Sequence, residues 1–113
     1  MKVHRQLGNG FPEIVYQRAF SIELTNQHIS HSLEHQKTIY YNEMVVGQRR
    51  LDVLIGNMIM VELKAVINLE DNHLAQAINY CHAFKLEGGL LINFGSPSLQ
   101  FKRIYNKRRN WQP

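Results

Sequence analysis

Two acids and a lysine stand in an otherwise apolar run, Asp52-Val-Leu-Ile-Gly-Asn-Met-Ile-Met-Val-Glu62-Leu-Lys64. Carboxylate oxygens are the ligands that hard cations such as Mg²⁺ and Mn²⁺ prefer, so Asp52 and Glu62 together are candidates for a metal site. Close carboxylates repel one another and hold their protons unless a cation offsets the charge. Lys64 adds an ammonium that could orient or deprotonate an attacking water and stabilise charge on a phosphate.

These residues must be positioned by strands. Val53, Leu54 and Ile55 before Gly56-Asn57, and Met58 to Val61 after it, predict a β-hairpin. Side chains alternate across a strand, so Glu62 and Lys64 share a face about 7 Å apart. A strict two-residue turn at Gly56-Asn57 would pair Asp52 with Val61 and turn Glu62 away. The shared site therefore predicts a connection of three or five residues, or a bulge.

The chain around the hairpin supplies further elements. Residues 1–7 are too short for a helix stable on its own, and they read as the stub of a longer one before the break at Gly8-Asn9-Gly10. A helix is predicted from Glu13 to about Gln27 after Pro12, with two stripes: Ile14, Val15, Ala19 and Ile22, and Glu13, Tyr16, Phe20 and Leu24. Taken locally, Glu13 is an acid favoured in a first helical turn. Residues 29–46 look strand-like, Gly47 marks a turn, and Gln48 to Ile55 leads into the hairpin. The result is a three-stranded antiparallel meander. On a strand, His31 and His35 lie about 13 Å apart, so these histidines, with His28, read as surface residues.

Cap-forming residues at 68–71 and the stop at Lys85 and Gly88-Gly89 bound a second helix. Its core stripe is Leu74, Ala77, Ile78, Cys81 and Phe84, beside a stripe of His73, Gln76 and Tyr80. Gly89 to Phe94 is an apolar strand suited to burial on both faces, and Leu99 to Tyr105 a more amphipathic one. Lys102-Arg103 and Lys107-Arg108-Arg109, with Tyr105 and Trp111 interleaved, suit base stacking and phosphate contact, or equally a solvated tail.

Composition sets the outer bounds. The 113 residues are expected to form one domain over 1–113, and 44% hydrophobic content argues against disorder. A formal charge of +4 suits a polyanionic partner. The lone Cys81 excludes an intrachain disulfide and, with no long apolar run, points to a cytoplasmic protein without a membrane partner.

Asp52, Glu62 and Lys64 resemble the signature of the PD-(D/E)XK nuclease superfamily, with Leu51 where the signature has a proline. Val3-His-Arg-Gln-Leu-Gly8, Gly10-x-x-Glu13-x-x-Tyr16, Val61-Glu-Leu-Lys-Ala65, His73-x-x-Gln76, Leu90-Leu-Ile-Asn-Phe94 and Lys102-Arg103-Ile104 widen the likeness to the small bacterial GxxExxY proteins. That resemblance implies an α/β, restriction-endonuclease-like core of helix, three-stranded antiparallel meander, helix and strand, here with a further C-terminal strand. It also implies a nuclease acting on nucleic acid, with DNA the expected substrate and Mg²⁺ or Mn²⁺ the cofactor. Glu13 would join Asp52 and Glu62 at the metal, reversing its local reading. Gln76 and Tyr80 resemble the glutamine-tyrosine motif beside the active site of recombination helicase-nucleases, so Asp52, Glu62, Lys64, Gln76 and Tyr80 form the expected catalytic set. The alternative is a catalytically inactive nucleic-acid- or protein-binding module of the same fold. Family members begin with a longer helix before the segment matching Val3-His4, so a truncated N-terminal helix is expected, and a homodimer is a further expectation.

Overall fold

The computed structural model describes residues 1–106. Among these, the order is α1 (Lys2–Leu7), α2 (Glu13–Asn26), β1 (His31–Tyr41), β2 (Met44–Ile55), β3 (Ile59–Lys64), α3 (Asp71–Ala83), β4 (Gly88–Asn93) and β5 (Gln100–Tyr105). The strands make one sheet in the order β1-β2-β3-β4-β5. β1 to β3 form the antiparallel meander, α3 crosses over to bring β4 parallel to β3, and β5 returns antiparallel to β4. This is the mixed α/β arrangement expected of a restriction-endonuclease-like core. Lys107-Arg108-Arg109 and Trp111 lie outside the described residues.

Two local expectations change. The β1–β2 turn lies at Asn42-Glu43, both at positive φ (49° and 66°), and Gly47 sits inside β2 opposite Ile39. Glycine is strong punctuation in a sequence, but here it falls beside a register shift at Ile39/Tyr40, where the ladder absorbs the irregularity. Residues 2–7 do form a helical stretch of their own, because Val3 is buried in the core instead of standing alone in water.

Helices cover both faces of the sheet. Val3, Tyr16, Phe20 and Leu24 pack on Val53, Val61, Leu63, Ile92 and Phe94. Across the sheet, Ala77 and Cys81 of α3 pack on Leu54, Met60, Leu91 and Ile104. Alternation explains the split: Val61 and Leu63 face α2, while Met60 faces α3. Of the two stripes on α2, the one containing Tyr16, Phe20 and Leu24 is buried, whereas Ile14 and Ile22 remain 39% and 61% exposed. No helix among the described residues is long and apolar enough to cross a membrane.

Asn93 anchors the loop after β3, with Ser96 and Gln100 bonding it further along. Asn93 Oδ1 accepts the N–H groups of Val66 (2.9 Å) and Gly95 (3.0 Å), while Nδ2 faces Val66 O (2.9 Å), Ser96 Oγ and Gln100 Oε1 (both 3.0 Å). Gly95 lets this loop pass against its own backbone, since a Cβ there would stand 2.3 Å from Val66 O. These contacts fix the end of β3 that carries Lys64.

Candidate active site

The β2–β3 hairpin turns through Gly56, Asn57 and Met58, with Ile55 paired to Ile59. An odd connection of this kind is what the parity argument requires. Asp52 and Glu62 are the next opposed positions beyond the Val53–Val61 pair, and there the paired register ends. Side chains replace the ladder. Leu63 N–H donates to Asp52 Oδ2 at 2.8 Å, and Asp52 N–H donates to Glu62 Oε1 at 3.4 Å.

Helix α2 brings the third acid. Tyr16 is fully buried, stacks on Phe94 (centroids 4.6 Å apart, 9° between planes), donates its O–H to Gly8 O at 2.7 Å and accepts Phe11 N–H at 3.1 Å. Gly10, at φ 116°, lets the chain turn between those anchors. Spacing in Gly10-x-x-Glu13-x-x-Tyr16 thus has a physical cause: the tyrosine locks the helix entry, and Glu13 lies one turn back along the same stripe. Gln17, buried one turn beyond Glu13, donates from Nε2 to Asp52 O at 2.9 Å and ties α2 to β2.

A cavity of about 340 Å³ opens between these elements, lined by Glu13, Gln17 and Asp52 together with Ile14, Leu63, Glu34 and Arg50. Lys64, half-buried, donates from Nζ to Gln76 Oε1 on α3 at 3.5 Å. Tyr80 sits one turn beyond Gln76, but its ring tilts against Phe84 at 6.1 Å and packs on the core. Glu13, Asp52, Glu62, Lys64 and Gln76 are therefore gathered around one region, while the contacts of Tyr80 lie with the core. His73 has a local role as well: its Nδ1 accepts Glu70 N–H at 3.0 Å in a capping box that starts α3.

The electrostatics follow from burial. Desolvation, reinforced by Asp52, pushes the Glu62 carboxyl from 4.5 up to about 8, against the lowering effects of the Asp52 N–H and Lys64. Burial also raises Asp52, opposed by its bond from Leu63 N–H and by Lys64. Glu13 stands exposed at the rim, where partial desolvation raises its carboxyl and Lys64 lowers it. All three carboxyls are raised first by desolvation, with Asp52 repelling Glu13 and Glu62 and Glu34 repelling Asp52, and their oxygens are the ligand type that a hard divalent cation takes. As the side chains stand, no three His, Cys, Asp or Glu residues among those described converge closely enough to ligate one ion. The hydrogen bonds from Leu63 and Asp52 direct one oxygen of the half-buried Asp52 and one of the buried Glu62 toward backbone.

Three lining residues were not apparent from the sequence. Gln17 had a usable signal, its place four residues after Glu13. Glu34 had none: it sits opposite Asp52 on β1 at φ 51°, a backbone state that its residue type does not announce. Arg50 precedes Asp52 by two positions and lies 3.9 Å from Glu34.

A family model of the PD-(D/E)XK nuclease superfamily matches residues 1–104. Among solved structures, the one titled "Crystal structure of SSO0001" is similar, with a TM-score of 0.64 and 19% sequence identity over 82% of this chain. At that identity the likeness is one of fold. The chain spans about half of that structure, 50% of its length. No curated protein matches the chain.

Proposed function

Because the chain belongs to the PD-(D/E)XK nuclease superfamily, we propose that it is a divalent-metal-dependent nuclease that hydrolyses phosphodiester bonds, with DNA as substrate. The observation that carries this reading is the buried Glu62 carboxyl bonded to the Asp52 backbone beside Lys64, an arrangement costly to an empty site and suited to a cation. Glu13, Asp52 and Glu62 would hold Mg²⁺ or Mn²⁺. Bound there, the cation supplies Lewis acidity toward a phosphoryl oxygen and a more acidic water.

The remaining roles belong to the chain's own groups. Lys64 orients the attacking water and offsets charge on the phosphate, and Gln76 positions the lysine through its Oε1. Tyr80 is assigned a supporting role toward the lysine or the scissile phosphate. The protein would work as one domain in a reducing, cytoplasmic setting, consistent with a lone buried cysteine.

A second reading, an inactive binding module, draws on the bonds that turn one oxygen of Asp52 and one of Glu62 toward backbone. Incubation with single-stranded, duplex and nicked DNA and with RNA, in Mg²⁺ or Mn²⁺ and then in chelator, separates the two. Metal-dependent cleavage that falls at least about a hundredfold in Lys64→Ala, with melting unchanged, supports the nuclease. Equal cleavage in that variant defeats the mechanism, and binding without cleavage in any metal favours the module.

A further inference from the structure

The β1–β2 ribbon extends well beyond the body of the protein. β2 pairs with β3 only over Val53–Ile55, yet pairs with β1 from Ile55 out to Met44. Among the described residues the ribbon has no third strand from Leu51 outward, and none of residues 36–50 is buried. Its root is the acid site itself, since Arg50 lines the cavity two positions from Asp52. Further out Lys37 and Arg49 oppose each other. At the tip, Tyr40, Tyr41, Met44, Val45 and Val46 are 61% to 70% exposed around the Asn42-Glu43 turn.

We propose that this ribbon is a substrate-binding arm: its arginines and lysine meet nucleic-acid phosphates, and its tyrosine-rich tip stacks on or wedges between bases. The partner follows from the nuclease reading, but the chemistry follows from the ribbon. Basic side chains on both faces, leading from an acidic site to an aromatic and aliphatic tip, match a polyanion with stackable bases. Glu43 at the tip and Glu34 at the root are the opposing charges. Glu34 lies 3.9 Å from Arg50 with both side chains about half exposed, a weak pairing that a phosphate can replace. A second copy of this chain is the poorer occupant, because it would bring another basic surface against Lys37, Arg49 and Arg50.

The distance from Asp52 to the tip is about eight strand residues, roughly 25 Å. At about 3.4 Å per nucleotide along a strand, that spans roughly seven nucleotides. The arm therefore acts only on substrates long enough to reach it. Fluorescence anisotropy with a labelled 20-nucleotide DNA, and NMR titration with a tetranucleotide, both in Ca²⁺, test this on the full chain. Tyr40→Ser with Tyr41→Ser is expected to weaken the 20-mer about tenfold or more and leave the tetranucleotide within about twofold. Arg50→Ala is expected to weaken both. Equal loss on both lengths by the tyrosine variant, no loss on the 20-mer, or a wild-type dimer that the variant splits in sedimentation would overturn the arm. Wild-type protein that binds the 20-mer in the expected pattern yet cleaves nothing in Mg²⁺ or Mn²⁺ sinks the nuclease reading and leaves the arm standing.

Discussion

Glu62 offers the sharpest test of the site, because its burial converts directly into a pH dependence of folding. In the unfolded chain its carboxyl ionises near 4.5, whereas in the folded protein it holds its proton up to about 8. Between those values the folded state binds a proton that the unfolded state has lost, so stability falls as pH rises. The whole interval, at about 1.4 kcal/mol per pH unit, amounts to about 5 kcal/mol, of which about 4 kcal/mol is lost between pH 5 and 8.5. Asp52 and Glu13 are raised for the same reason and add to the loss with the same sign. Glu62→Gln removes the ionisation while keeping an oxygen to accept Asp52 N–H. Urea unfolding in chelator at several pH values should show the variant near wild type at pH 5 and more stable by several kcal/mol at pH 8.5. Curves for the two proteins that run parallel across this range would refute the buried, protonated Glu62.

Other outcomes follow from the same contacts. Added Mg²⁺ or Mn²⁺ is expected to raise the melting temperature of the wild type at pH 8, and Asp52→Asn to abolish that rise, measured without any substrate. Tyr16→Phe loses the bonds to Gly8 O and Phe11 N–H but keeps the stacking on Phe94, so it should cost about 1–3 kcal/mol in urea unfolding. Gly95→Ala forces a Cβ against the Val66 backbone and should cost more than about 2 kcal/mol, with altered amide shifts through residues 64–67 in NMR spectra.

Much of the fold was legible because local periodicity and burial agree. The stripe through Ala77 and Cys81 on α3 and the apolar run of β4 follow from spacing that a helix or strand must obey, and the β2–β3 connection is odd, one of the forms that a shared acid site required. The β1–β2 turn was not legible, because Gly47 is the stronger local signal while the chain turns at Asn42-Glu43. Histidine spacing was similarly ambiguous. His31 proves to accept or donate a bond with Ser21 Oγ at 2.6 Å, and His73 serves a helix cap.

The sequence by itself determined that Asp52, Glu62 and Lys64 lie on neighbouring strands, and the alternation of side chains demanded a three- or five-residue connection, or a bulge, if the acids were to meet. Tertiary structure alone decided what surrounds them. Whether Glu13 faces the acids depends on how Tyr16 seats α2 on Phe94, and whether Gln76 reaches Lys64 depends on the crossover that lays α3 against the sheet. Glu34 and Arg50 enter the cavity through a left-handed residue in β1 and the β1–β2 pairing that continues past the end of the β2–β3 ladder. Those placements arise from contacts between residues distant in sequence, where no local spacing carries the information.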